Sequence, residues 1–149
     1  PRNGNEAVSE RKLVEALFNT LLDLIEVLES EVDSVRTHNA KEMHLLQEDK
    51  KALTATYEAH LRSLRRRPDA LKNLDAQERT EMRLVTDRFQ EALVANERAL
   101  RAARSAADGV LQTIARAARE ERANLYGDRG APRTVRDKRA IPLSLNARY

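Results

Sequence analysis

"LVEALFNTLLDLIEVLESEVDSV", residues 13–35, decides the fold. Its apolar residues Leu13, Leu17, Leu21, Leu24, Leu28, Val32 and Val35 recur at steps of three and four. On a helix that spacing places them along one side, as in the seam of a coiled coil. A second line, Val14, Phe18, Leu22 and Ile25, widens the apolar face in the first half. A broad face packs against two neighbours and a narrow one against one. This helix is therefore expected to meet two partners near its start and fewer near its end.

The rest of the chain extends the same pattern. Among 149 residues, aromatics make up 3% and charged residues 34%, and the mean hydropathy is −0.67. That composition suits long helices better than a compact globular core. No glycine lies between Gly4 and Gly109, and no proline between Pro1 and Pro68. Sheets and sandwiches need frequent turns, so the chain reads as all-α.

The first stripe stops near Arg36. Asn39-Ala-Lys-Glu42 then reads as a capped restart, with Asn39 accepting from the first turn and Glu42 reaching back. A second helix carries Met43, Leu46, Leu53, Tyr57, Leu61 and Leu64. Lys50 falls on this seam, where its stem is expected to cover apolar surface while the ammonium reaches water. Arg65-Arg66-Arg67-Pro68 ends the helix, because the residue before proline avoids the α region. Three arginines there offset the negative end of the helix dipole; a phosphate contact is the other reading.

Residues 68–74 read as a connector, and Asp75-Ala-Gln-Glu78 as a second capping signal. The third helix carries Met82, Val85, Phe89, Ala92, Asn96, Leu100, Ala103, Ala107, Val110, Ile114, Ala117 and Leu125. Asn96 lies where the heptad phase slips, and a polar residue on a seam often fixes register. The expected architecture is an elongated antiparallel three-helix coiled-coil-like bundle over 1–125, with helices at about 6–36, 40–66 and 75–125. An irregular basic tail, 126–149, follows. At a rise of 1.5 Å per residue the third helix would overhang the others by roughly 30 Å.

The distal part of that helix is chemically distinct. Residues 99–118 are rich in alanine, and Gly109 interrupts them at about 1 kcal/mol relative to alanine. Large anchors are few: Leu100, Val110, Leu111 and Ile114. A long, thinly packed helix gains stability when another helix covers its face. A client protein is the expected occupant; an oligomer contact, or simple fraying with no occupant, is the other reading. Next, "NLYGDRG", residues 124–130, closes the helix with a tyrosine and a glycine stop at Gly127. In the tail, Ile141-Pro-Leu-Ser-Leu145 alternates in a way that could add as a strand to a partner.

Several function classes find no support in the residues. There is no cysteine, which removes disulfides, zinc–thiolate sites and thiol nucleophiles. His38, His44 and His60 sit at no recognisable metal spacing, and no phosphate-binding glycine loop or nucleophile elbow occurs. No enzyme, metal or cofactor is expected. No apolar run is long enough for a membrane span, and no signal-peptide pattern is legible in the residues given. Charge is unevenly spread, with a net −5 over residues 1–35 and +5 over 116–149. This asymmetry speaks against a general nucleic-acid binder, whose basic surface extends over the fold.

Taken together, "LLDLIEVLESEVDSVRTHNAKEMHLLQEDKKAL", "LDAQERTEMRLVTDRFQEALVANERALRAA" and "LYGDRG" resemble the FlgN-type flagellar export chaperones, in the divergent form found in alphaproteobacteria, whose tail is like "SLNARY". The resemblance spans about residues 10–149. Its more specific parts are the break at His38-Asn39, the Asn96-Glu97-Arg98 element and Tyr126-Gly127-x-x-Gly130, in that order. It implies a cytoplasmic, helical protein without ATPase activity that holds hook-associated proteins, the hook–filament junction subunits, before secretion. It also implies client binding by the distal part of the last helix, at Leu100, Val110, Leu111, Ile114, Ala118 and Leu125, and docking on the flagellar export gate through Tyr126. Such chaperones often carry Asn-Gly after the Asn-Glu-Arg element; here Ala99-Leu100 follows, and a smoother helix is expected. Two alternatives stand beside this reading: a coiled-coil adaptor that self-associates through the same stripes, and a regulator that binds nucleic acid through its basic tail.

Overall fold

A computed structural model describes residues 4–127 of the chain. The tail readings, Ile141–Leu145 and "SLNARY" among them, lie outside the described residues. Those described form four helices and no strand: α1 (Gly4–Arg36), α2 (Ala40–Arg65), α3 (Asp69–Lys72) and α4 (Ala76–Tyr126). The chain separates into two units, one ending at Arg101 and the other beginning at Ala102, and α4 belongs to both.

The first unit is an all-α bundle whose core is largely the α1 stripe. Val14, Leu17, Leu21, Leu24, Ile25 and Leu28 are all buried, and Leu64, Val85, Phe89 and Ala92 close over them. Each large side chain taken out of water contributes about 1.5–3 kcal/mol. The seam of α2 is shallower. Met43, Leu46, Leu53, Tyr57 and Leu61 are half-buried, and only Leu64 is fully enclosed. Phe89 of α4 meets Tyr57 of α2 with ring centroids 5.6 Å apart in a tilted arrangement, a geometry that aromatic quadrupoles favour. Arg67 of α2's end contacts Ser9 near the start of α1, so these two helices run antiparallel.

The second α1 line is only partly enclosed: Ile25 is buried, Phe18 is half-buried and Leu22 is exposed. The apolar face thus turns around the helix, and Leu22 falls off its edge.

The turns obey local chemistry. His38 adopts φ 55°, and the Asn39 N–H reaches back to Ser34 O at 2.9 Å, a Schellman-type closure of α1. Asn39 Oδ1 accepts from Glu42 N at 3.2 Å, while Glu42 Oε2 accepts from the side-chain amide of Asn39 at 2.9 Å. Glu42 reaches back, but to the side chain, because Ser34 already takes the Asn39 backbone N–H. At α4 the reciprocal capping box is complete: Glu78 N donates to Asp75 Oδ1 at 2.8 Å and Asp75 N to Glu78 Oε2 at 3.0 Å. The connector, 68–74, is not irregular throughout but holds one helical turn. Pro68 starts α3, and Ala70 and Leu74 fold inward to plug the end of the core.

Candidate functional site

Two places stand out: a polar cluster inside the first unit and the exposed face of α4 in the second. In the first, Glu31 has no solvent exposure. Its carboxylate accepts from Gln47 Nε2, from Lys50 Nζ at 2.6 Å and from Asn96 Nδ2 at 2.5 Å. Asn96 Nδ2 also donates to Leu28 O at 3.2 Å. One carboxylate therefore joins α1, α2 and α4. The expectation that the Lys50 ammonium reaches water is corrected here: it turns inward, because a buried carboxylate demands a counter-charge.

Asn96, expected on the seam, is buried there. Glu31 and Gln47 carry no such signal on the apolar lines of the sequence. The spacing Leu24, Leu28, Glu31, Val35 could have marked Glu31 as a seam position, but the apolar Val32 beside it drew the stripe away. In the structure Val32 is half-buried and Glu31 enclosed.

A second charged pair lies at the surface. Arg11 Nη2 is 2.6 Å from Glu78 Oε1. The Arg11 hydrogen bond, aided by the Asp75 backbone N–H, holds the Glu78 carboxyl below the usual carboxylate range. The same bond raises Arg11.

The second unit is different in kind. None of its described residues, 102–127, is buried. Val110 is 54%, Leu111 63% and Ile114 49% exposed. Positions 110, 111, 114, 118 and 125 fall on one side of α4 by helical spacing, so Val110, Leu111, Ile114, Ala118 and Leu125 form one stripe. Of these Leu125 is half-buried. Leu100 stands apart: it is half-buried and belongs to the first unit. Tyr126 is 80% exposed and turned about 100° from Leu125 around the helix.

Gly127 follows the helix, as expected of a stop, but its φ is not left-handed. The glycine is needed for space instead, since an added Cβ would sit 2.5 Å from Ala123 O.

Among the described residues no group of His, Asp and Glu is arranged to hold a metal ion, and no helix is long and apolar enough to cross a membrane. Comparison with known proteins finds no matching family model, curated protein or solved structure.

Proposed function

We propose that this chain is a flagellar export chaperone of the FlgN type, which binds hook-associated proteins in the cytoplasm and keeps them soluble until secretion. The observation that carries the reading is the bare stripe Val110, Leu111 and Ile114 on a helical stretch whose described residues bury nothing. Adjacent exposed apolar side chains mark an interaction surface. A helix without its own core is stabilised when a partner helix covers it. The alanine-rich composition leaves few anchors, which suits an interface that must also release its client.

On this reading Val110, Leu111, Ile114, Ala118 and Leu125 contact the client and Tyr126 docks on the export gate; Leu100 is left out of this stripe because it belongs to the first unit. No catalytic step is assigned. The test is titration calorimetry of a purified hook-associated protein against the wild type and against Val110→Asp/Ile114→Asp. Binding should be lost while circular dichroism stays unchanged. Undiminished affinity in the double variant rejects the placement. Light scattering of the free protein separates the alternative, a scaffold that self-associates through the same stripe: a concentration-dependent dimer abolished by the double variant would favour it.

A further inference from the structure

A shallow groove between the start of α1 and the end of α2 is lined by Ser9, Lys12, Leu13, Ser63, Arg66 and Arg67. The charges around it are unbalanced. Of the neighbouring acids, Glu78 pairs with Arg11 at 2.6 Å and Asp69 with Lys72 at 3.7 Å, while Glu10, still an anion, accepts from the Asn73 amide at 3.1 Å, away from the groove lining. Lys12 and Arg66 have no acidic partner among the described residues, and Glu15, three positions after Lys12, does not pair with it. Arg67 Nη1 donates to a neutral acceptor, Ser9 Oγ, at 2.8 Å. Three cations therefore border one groove with no ion-pair partner among the described residues.

The dipole of α2 accounts for a basic residue at its last turn, such as Arg65. It does not account for Lys12, which stands on another helix, nor for Arg67, which turns sideways to α1. We propose that this groove binds a phosphate dianion, either free or as the terminal phosphate of a larger molecule. The Arg66 guanidinium offers two parallel N–H donors matched to phosphate oxygens. Lys12 adds a point charge, and the Ser9 and Ser63 hydroxyls can each donate a hydrogen bond. No aromatic side chain lines the groove, so it lacks the stacking platform that an extended single strand of nucleic acid needs. All these residues precede Arg101, so the inference stands apart from the client-binding stripe.

Nuclear magnetic resonance titration of the full chain tests it, with sodium phosphate, a nucleoside monophosphate, and sodium chloride at matched ionic strength. A sedimentation arm uses phosphatidylcholine vesicles with and without phosphatidic acid. Saturable shifts at Ser9, Lys12, Ser63 and Arg66 with a phosphate probe but not with chloride, or sedimentation only with phosphatidic acid, are expected. Either response should disappear in Lys12→Gln/Arg66→Gln. Both positions are exposed, and unchanged circular dichroism will show that the variant folds. The arm that responds identifies the source of the phosphate. Absence of a response in every arm, or one that survives the double substitution, overturns the site.

Discussion

Asn96 of α4 donates its side-chain amide at 2.5 Å to Oε2 of Glu31 on α1, a carboxylate with no access to water. Lys50 of α2 reaches the same oxygen at 2.6 Å. Breaking a buried ion pair costs most when it strands a charge inside. Lys50→Met leaves Glu31 buried without a counter-charge and should cost about 3–5 kcal/mol. Glu31→Leu leaves Lys50, whose side chain is already 22% exposed and can swing to solvent; the loss should be smaller. Asn96→Leu removes a hydrogen bond to a charged group, about 1.5–3 kcal/mol, together with the weaker one to Leu28 O. Urea unfolding of the three variants measures the order, and a costlier Glu31→Leu than Lys50→Met would contradict it.

How much of this was legible follows from the side chains involved. The α1 seam could be read because leucine at steps of three and four has one physical meaning. The α2 seam, Met43 through Leu64, could be read for the same reason. Asn96 and Lys50 were visible as polar residues on apolar lines. Glu31 was not, since an acid among acids looks solvated, and its burial depends on donors 16, 19 and 65 residues away in sequence. The α3 turn escaped because four residues carry no period. The distal stripe was legible as a weakness, few anchors among alanines, and Val110, Leu111 and Ile114 are indeed exposed.

The Arg11–Glu78 pair sets a pH dependence. The Glu78 carboxyl titrates lower in the folded chain than in the unfolded one. The unfolded state therefore takes up its proton first as pH falls. The pair's stabilisation is present above the ordinary carboxylate range and is lost as pH drops through the folded value. Arg11→Gln should lower stability at neutral pH and converge with the wild type in acid. Because Arg11 is largely exposed, added salt should shrink the difference. Urea midpoints across pH check this; a gap that persists in acid would assign the effect to something other than the carboxylate.

Two backbone positions have their residues reversed from what conformation favours. His38 is left-handed at φ 55° without being glycine, whereas Gly109 sits inside α4 with nothing within 4 Å of an added Cβ. His38→Gly relieves a left-handed strain of about 1–2 kcal/mol, offset in part by greater freedom of the unfolded chain. Gly109→Ala should stabilise its part of α4 by about 1 kcal/mol. Hydrogen exchange reads the second locally: protection around residues 105–113 should rise. A fall there would mean that the bare backbone at Gly109 has a contact that alanine disturbs.

On the proposed function, Tyr126 is the position that should separate holding a client from delivering it. The side chain is 80% exposed, so Tyr126→Ala should change stability by no more than about 0.5 kcal/mol. It points about 100° away from Leu125 around the helix, so a client lying along Val110, Ile114 and Leu125 does not require it. Tyrosine offers an apolar ring and a polar tip, a combination favoured where one protein meets another. The expected outcome is unchanged calorimetric affinity for the hook-associated protein together with reduced secretion in a complementation assay. Weakened client affinity would move Tyr126 into the client interface. Normal affinity with normal secretion would remove it from both.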